Sequence, residues 1–547
     1  MAAADASAPA AKHDHLVEDR RRLSRSLLWR LQRAYYAARG AEAWTTGKVP
    51  WFVSANAALA RAYAQVIDGY LRDVAAGAYG PEHADPARPV YLVELGAGHG
   101  RFAFLLLEHL TALESMRAGL GPRAPLRYVL TDLAEANLAF CAAHPRLRPH
   151  VEAGRIDLAR FDAERDTELH LRRSGDVLSA ETRPAAVVAI ANYLFDSLVQ
   201  DIFRVTGGAL EESLAALYST QPEPDLDDPA MIERVKLVYE AAPAGDAPYG
   251  DPALDGILAD YRRTMTDTAI TFPIGPLTCV RNLHRLAGGR LLLLTADKGQ
   301  VHEEELARRH EPQPVVHGSF SMSVNFHAIG AWFRRSGGDV LDVTPRDGTL
   351  TPNGFVGGAT AATVVRTRAA FADGIEAFGP MDMLELADDI YKLDKPSLGA
   401  LLATLRMTDW DPWVFYRVVD RMLPLLDDAG AAHRREARRA LTRVWARYYH
   451  LGGTRDVPFE LARVWQRLKH HAEAIELYRA SIELFGDSHV THYNLGLCLH
   501  YGSHDHRGAL AEFERALALQ PDYAHARDWR LRMLGELRGE PATAPAG

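Results

Sequence analysis

The chain has 547 residues, of which 48% are hydrophobic and 24% charged, and this allows two or three domains with sizeable cores. A net charge of −9 excludes the global positive field that draws proteins to nucleic acid or to anionic membranes, so we expect neither as a partner. The three cysteines form no C-x-x-C pair, and the N-terminal residues contain no unbroken apolar segment. We therefore expect no disulfide framework, no secretory signal and a cytoplasmic location.

The N-terminal part predicts a tail followed by helices. We expect a disordered tail over residues 1–16 and an amphipathic helix over 17–40, where leucines recur at helical spacing opposite an arginine-rich face. Residues 44–50 predict a loop. Ser54 then suits the N-cap of a long helix over residues 55–75.

A glycine-rich turn follows the first predicted strand. The apolar run VYLV suits a buried strand, and after it come Glu94 and three alternating glycines, Gly96, Gly98 and Gly100, ahead of an apolar helical run. Strand, glycine turn and helix together present backbone N–H groups to a ligand. Glycine suits this turn because a Cβ would prevent the close approach of a ligand to the backbone. A glycine turn that binds no ligand is the alternative.

Four further strands alternate with helical patterns along the next two hundred residues. The apolar runs that predict them lie at 127–131, 155–161, 185–191 and 291–295, and the stretch around 221–224 predicts low order. Alternation of this kind indicates an α/β domain with a parallel or mixed sheet and helices on both faces. Ligands of such sheets bind at the carboxyl ends of the strands.

Polar side chains stand at those strand ends. Asp132 ends the second strand, and a carboxylate there can accept both hydroxyls of a ribose, although it could equally cap the helix that follows. Asp162 follows the third strand, and a surface turn is its alternative role. Asn192 and Asp196 follow the fourth strand, where the alternative is a cap of the strand end.

The spacing E-x-G-x-G-x-G resembles the first motif of class I S-adenosylmethionine (SAM) methyltransferases. The resemblance implies a Rossmann-like class I methyltransferase domain with N-terminal helices over residues 17–370, with SAM as its cofactor. It also implies cofactor-binding roles for six residues: Glu94 near the methionine end, Gly96, Gly98 and Gly100 under the amino acid and ribose, Asp132 at the ribose, and Asp162 at the adenine amino group.

A narrower resemblance concerns the segment A-N-Y-L-F-D-S-L at 191–198. It is similar to the A-N-E-x-F-D-A-L segment of MidA-like methyltransferases, which include a mitochondrial complex I assembly factor that methylates an arginine of a partner subunit. Residues 319–333 resemble another segment of that family. The resemblance implies catalytic or substrate-side roles for Asn192 and Asp196. Tyr193 stands where the family usually has Glu, a departure that concerns the substrate side.

The C-terminal part predicts helices only. We expect a helical connector over residues 371–450, repeats over 451–538 and a disordered tail over 539–547. The repeat is visible at an offset of 35 residues, since Ala474, Tyr478 and Ser481 align with Ala509, Phe513 and Ala516. It resembles the tetratricopeptide repeat (TPR), whose length is 34 residues, with one residue inserted near 503–507. The resemblance implies an all-α TPR-like domain that binds a protein or peptide partner.

The histidine clusters do not predict a metal site. His13/His15, His470/His471 and His500/His504/His506 have no partnering cysteine or carboxylate cluster in the sequence, so we expect them to be solvated. His317 precedes the segment 319–333. It could act at the site as a base or as a substrate ligand, but the pattern favours an ordinary loop histidine.

The leading hypothesis is a SAM-dependent methyltransferase that acts on a protein recruited by the TPR-like repeats, with arginine as the candidate acceptor. One alternative is a scaffold whose methyltransferase-like domain has lost catalysis, as the change to Tyr193 and the sequence Val199-Gln200 in place of the family's Pro-Val suggest. Another is a small-molecule methyltransferase.

Overall fold

The structure, a computed structural model, describes residues 15–39, 52–85, 88–182, 184–316, 319–341, 343–344 and 350–538. It divides into two compact units, Met1–Met381 and Asp382–Gly547. The loop predicted at 44–50, His317, the C-terminal tail and most of the N-terminal tail lie outside the described residues.

The first unit contains all the described strands. In chain order these are β1 His15–Arg21, β2 Val90–Leu95, β3 Leu126–Asp132, β4 Ile156–Arg160, β5 Leu169–His170, β6 Val177–Leu178, β7 Ala186–Asn192, β8 Asp201–Thr206, β9 Ala209–Ser219, β10 Val235–Pro243, β11 Thr268–Phe272, β12 Leu291–Asp297, β13 Gly299–Gln300, β14 Val315–Val316, β15 Phe320–Ser321, β16 Val324–Asn325, β17 Asp339–Leu341 and β18 Thr351–Val356. Its helices are α1 Leu27–Arg39, α2 Ala57–Ala75, α3 Arg101–Met116, α4 Glu135–Ala143, α5 Arg148–Glu152, α6 Pro252–Thr264, α7 Ile274–Leu286, α8 Phe326–Arg335 and α9 Val365–Phe371.

A seven-stranded sheet forms the centre of this unit, in the order β17-β18-β12-β7-β2-β3-β4. The five strands from β12 to β4 are parallel, whereas β18 runs antiparallel to β12 and to β17. All residues of β2 and β12 are buried, which explains their continuous apolar sequences. The predicted α/β sheet is thereby confirmed. The strand order reverses at β2, which makes the edge between β2 and β7 a topological switch point.

A second, antiparallel sheet was not predicted. Its strands follow the order β1-β9-β8-β11, with β10 also paired to β9. The stretch around 221–224, predicted as low in order, lies between β9 and β10. Gly207 and Gly208 join β8 to β9 at φ of 56° and 81°, values that a tight hairpin turn of two residues requires.

The predicted helix over 17–40 was wrong in its first third, where the chain forms strand β1 instead. Helix α1 begins only at Leu27, because its first turn is capped from that strand. The Glu18 carboxylate accepts hydrogen bonds from the Leu27 N–H at 3.0 Å and from the Ser26 hydroxyl at 2.5 Å. Periodicity alone could not separate the two elements, since the arginines between them suit an exposed helix face and an edge strand equally well.

The second unit is helical throughout its described residues. Its elements are α10 Pro380–Lys392, which begins at the boundary, α11 Leu398–Met407, α12 Pro412–Leu425, α13 Ala431–Arg447, α14 Val457–Arg467, α15 His471–Phe485, α16 His489–Cys498, α17 His506–Leu519 and α18 Ala524–Arg538. A π-helical turn, Leu499–Ser503, continues α16. The residues aligned at an offset of 35 are all buried, as tightly packed helix pairs require. No described helix of either unit has the length and hydropathy needed to cross a membrane.

Gly69 offers a test of the packing between α2 and α9. A Cβ at Gly69 would lie 2.8 Å from the backbone oxygen of Arg366. The helices cannot simply separate, since the Asp73 carboxylate accepts the Thr367 N–H at 2.9 Å. We expect Gly69→Ala to lower the free energy of unfolding by about 1–3 kcal/mol, measured by thermal and denaturant unfolding.

The matched control is Gly119→Ala, whose Cβ would meet no atom within 4 Å. It should change the free energy of unfolding by less than about 0.5 kcal/mol. Equal stability of the two variants would contradict the close approach of α2 and α9.

Candidate functional site

A cavity of about 230 Å³ opens at the carboxyl edge of the parallel strands, beside the switch point. Its wall is formed by the ends of β2, β3, β4, β7 and β12, together with one face of α1. The polar and charged residues that line it are Gln32, Arg33, Asp132, Asn137, Asp162, Glu164, Tyr193, Asp196, Ser197, Lys298 and Ser321, and most of the remaining wall is apolar.

The glycine turn follows β2 directly and is held against the end of β3. Gly96, Gly98 and Gly100 all have positive φ, between 55° and 73°. A Cβ at Gly96 would lie 3.1 Å from Leu194 Cδ1, so a larger residue would crowd the cavity wall as well as strain the turn. The Ala97 N–H donates to the Thr131 carbonyl at 2.9 Å. The turn is thus fixed in a conformation that leaves its backbone next to the cavity.

Asp132 holds the glycine turn in place and also lies on the cavity wall. Its carboxylate accepts the Gly98 N–H at 2.9 Å and the Ala134 N–H at 2.8 Å, and it also lines the cavity. Burial raises the pKa of Asp132, while these backbone donors act in the opposite direction. One carboxylate therefore ties the glycine turn to the segment before α4 and presents an oxygen-bearing group to a ligand.

Asp162 stands at the end of β4 beside an arginine that the sequence did not predict. The Arg33 guanidinium, from α1, donates to Asp162 Oδ2 at 3.0 Å and also contacts the Glu164 carboxylate. Glu164 in turn accepts the Val199 N–H at 2.7 Å. This charged cluster fixes α1 across the cavity and brings residues from three separate parts of the chain together.

Asn192 and Tyr193 end strand β7 in different environments. The Asn192 amide accepts a hydrogen bond from the Tyr63 hydroxyl at 3.2 Å and donates to the Ser54 carbonyl at 3.4 Å, so it holds the start of α2 and does not line the cavity. Tyr193 lines the cavity and has a φ of 49°, which is uncommon for a bulky residue. Such local strain is concentrated at functional sites.

Two carboxyl groups meet behind Tyr193. Asp297, the last residue of β12, is fully buried, and its Oδ2 accepts the Asp196 N–H at 3.1 Å. Burial, the negative charge of Asp196 and a hydrogen bond between the two side chains raise the pKa of Asp297 well above its usual range. These effects all favour the protonated form of Asp297. Asp297 was not predicted, although its place at a strand end was the available signal.

Glu94 lies beneath the site rather than in it. Its carboxyl accepts a hydrogen bond from the Tyr128 hydroxyl at 2.5 Å, and it does not line the cavity. Burial raises the pKa of Glu94 to about 8, and the charge of Asp132 adds to the effect while Tyr128 opposes it. Glu94 is thus an interior acid that is largely protonated at neutral pH.

The structure brings four of the eight predicted site residues to the cavity wall, namely Gly96, Asp132, Asp162 and Asp196. Gly98 and Gly100 shape the turn behind that wall, and Asn192 and Glu94 lie in supporting positions. Arg33, Glu164, Asp297 and Lys298 complete the site and were not predicted. The approach of Arg33 and Glu164 depends on packing between distant segments, whereas Asp297 and Lys298 stand at the end of β12.

No protein-family model matches the chain, and no curated protein matches it. Two solved structures from Burkholderia thailandensis, both of one superfamily, are similar to it. One is an uncharacterized protein with 17% identity and a TM-score of 0.35. The other is a suspected methyl transferase bound to S-adenosyl-homocysteine, with 16% identity and a TM-score of 0.33. Each alignment covers 59% of this chain and 73% of the other, and TM-scores this low do not establish a shared fold.

The protonation of Glu94 can be tested through the pH dependence of stability. The pKa of Glu94 is about 8 in the folded chain and near 4.5 when unfolded, so its contribution to stability is fully present below pH 4.5 and is lost as pH rises to about 8. Glutamine is a neutral isostere that can still accept the Tyr128 hydrogen bond. We expect Glu94→Gln to raise the free energy of unfolding by about 1–4 kcal/mol above pH 8.

The measurement is thermal unfolding of both proteins across this pH range. The difference between them should vanish near pH 4, where both side chains are neutral. A difference that is independent of pH would show that Glu94 does not titrate in this window.

Proposed function

We propose that the chain is a SAM-dependent methyltransferase that acts on a protein substrate. The observation that carries this proposal is the glycine turn at the switch point, tied by Asp132 to the end of β3 and facing a largely apolar cavity. A nucleoside ligand needs an apolar slot, an acceptor for its ribose hydroxyls and a closely approached backbone, and this edge of the sheet offers all three.

The residues present fit SAM. Leu133, Phe161 and Ala163 supply apolar surface beside Asp132 and Asp162, which are suited to the ribose hydroxyls and the adenine amino group. The backbone at Gly96 stays open because it lacks a Cβ. SAM, when bound, supplies a methyl group on a positively charged sulfonium, and the acceptor takes it by in-line displacement.

The chain's own contribution to such a transfer is positioning and charge. Asp196 lies on the cavity wall, where its N–H donates to Asp297 Oδ2 at 3.1 Å, so its negative charge is held at a fixed place. That charge would orient an acceptor and stabilise positive charge on it. For an arginine acceptor, a carboxylate can hold the guanidinium by two parallel hydrogen bonds. Asp196 is our candidate for this role.

The features of the second unit are the reason for proposing a protein substrate. Its repeated helix pairs have the character of TPR repeats, and small residues allow close packing; a Cβ at Gly496 would lie 2.7 Å from the Phe513 ring. A groove of about 470 Å³ is lined by Asp420, Leu423, Pro424, Arg463, Gln466, Arg467, Lys469 and Asn494. Its charged and amide groups suit a polar peptide segment. We propose that this unit recruits the substrate.

One observation favours the alternative of a scaffold without catalysis. Both polar atoms of the Asn192 amide are engaged by Tyr63 and Ser54, so this side chain is not directed at a ligand. Tyr193, whose pKa is raised by burial and by the charges of Asp297 and Asp196, would also be a poor proton acceptor at neutral pH. A scaffold could retain SAM binding while showing no transfer.

Binding of SAM is the first test. Isothermal titration calorimetry with the full chain should detect SAM, and Asp132→Ala should weaken its affinity about 10–100-fold, since a hydrogen bond to a charged acceptor is lost. Gly98→Arg should abolish binding by placing a side chain over the turn. Asp176→Ala removes an exposed carboxylate elsewhere and should leave the affinity unchanged. Absence of SAM binding to the folded parent chain would reject the proposal.

Methyl transfer is the second test. Labelled SAM added to a lysate with the parent chain should place label on a polypeptide, and Asp196→Asn should lower the rate at least about tenfold with SAM affinity retained, because only the orienting charge is removed. Label confined to the low-mass fraction would instead indicate a small-molecule acceptor. SAM binding without any transfer would support the scaffold.

A further inference from the structure

Three potential metal ligands converge in the second unit, far along the chain from the predicted cofactor turn. His500 Nδ1 lies 3.3 Å from His506 Nδ1. Glu536 Oε2 lies 2.8 Å from His506 Nδ1 and 3.5 Å from His500 Nδ1. Within the described residues, this is the one group of three such side chains whose ligating atoms share a small volume.

The distances match the ligand set of a tetrahedral ion. Zinc binds histidine nitrogen and carboxylate oxygen at about 2.0–2.2 Å, which places neighbouring ligand atoms of a tetrahedron about 3.3–3.6 Å apart. The distances from His500 Nδ1 to His506 Nδ1 (3.3 Å) and to Glu536 Oε2 (3.5 Å) lie in or at the edge of this range. The 2.8 Å distance between His506 Nδ1 and Glu536 Oε2 would lengthen by a small side-chain rotation. Two histidines and one carboxylate leave the fourth position for water or another ligand.

The Glu536 carboxylate is the second observation that points to an ion. Its Oε2 atom is buried and accepts no well-oriented hydrogen bond, although two imidazole nitrogens stand close to it. Its other oxygen accepts the Arg532 Nε–H at 3.0 Å, which orients the group in the way that outer partners orient metal ligands. A buried acceptor without a hydrogen bond is costly, and a cation would satisfy it.

A simple ion pair explains the cluster less well. One protonated histidine could donate to Glu536, but the Nδ1 atom of the other would then face a nitrogen 3.3 Å away and the same oxygen. A single cation satisfies all three lone pairs at once. The rings of Tyr501 and Trp529 pack against His500 and shield it from water, which strengthens binding of an ion at this place.

The backbone also departs from regular structure here. His500 lies in the π-helical turn Leu499–Ser503, and His504, just after it, has a φ of 52°. Single π turns occur frequently at functional sites because they redirect a side chain from the face that a regular helix would present. In this chain the turn directs His500 towards His506 and Glu536.

We propose that His500, His506 and Glu536 form a binding site for a divalent transition metal ion, with Zn²⁺ as the best fit to the donor set. The ion would join the π-helical turn, the start of α17 and the end of α18, and so fasten the last helix to the repeat before it. The prediction of solvated histidines would then be incomplete, because the third ligand comes from a helix that the sequence pattern did not connect to them.

The test uses the full chain without a histidine tag, freed of metal by chelation and titrated with Zn²⁺ against a chromophoric chelator. We expect saturable binding of one ion per chain and a higher melting temperature in its presence. Substitution of Co²⁺ should give the strong visible absorption of a four-coordinate site. Glu536→Gln and His506→Ala should each weaken binding at least about tenfold and remove the gain in melting temperature.

His525→Ala is the matched control, because His525 is an exposed histidine on the same helix as Glu536. It should bind Zn²⁺ as the parent does. Circular dichroism checks that each variant folds. If Glu536→Gln does not fold, His506→Ala still tests the site, because His506 is partly exposed. The proposal fails if the parent shows no saturable binding, or if the folded ligand variants bind as tightly as the parent.

Discussion

The hydrogen bonds of the Asp132 carboxylate are the interaction on which the ligand edge of the first unit depends. One buried anion accepts the Gly98 N–H and the Ala134 N–H, so it fixes the turn after β2 and the segment after β3 with respect to each other. Without these donors, burial would drive the carboxyl towards its neutral form. The glycines make the backbone conformation of the turn possible, and the hydrogen bonds to Asp132 fix that conformation. The shape of the cavity depends on it, because the turn forms part of the cavity wall.

Carboxyl groups are concentrated around this turn, and the structure stabilises them in two ways. Asp162 and Glu164 are paired with the Arg33 guanidinium, which brings α1 over the cavity. Glu94 and Asp297 are instead held in environments that raise their pKa, the first by burial beside Tyr128 and the second by burial and the charge of Asp196. A ligand that carries positive charge would relieve the remaining repulsion between these acids. Both a sulfonium and a guanidinium have this property, so the acidity of the edge and the proposed chemistry agree.

What the sequence could predict follows from how each element is buried. Strands β2, β7 and β12 were predictable because strands covered on both faces are continuously apolar, and the carboxyl ends of the parallel strands located Asp132, Asp162 and Asp196. In the antiparallel sheet, β1 and β10 were not predictable, because they keep exposed or half-exposed residues through most of their length and show no clear alternation. Arg33 and Glu536 share a different cause. Each acts through a contact with a residue remote in the sequence, and no local pattern encodes such a contact.

The irregular turn of the second unit joins the repeat pattern to the histidine cluster. The proposed TPR-like packing has a repeat length of 34 residues, so the offset of 35 adds one residue between the packed positions. The additional residue cannot be accommodated by separating α16 from α17, since the contact between Gly496 and Phe513 requires the close approach of these helices. The π-helical turn Leu499–Ser503 lies between them and widens the helix by the equivalent of one residue, which keeps both buried faces in register. The same turn places His500 beside His506 and Glu536, so the proposed repeat packing and the proposed metal site share one irregular stretch of backbone.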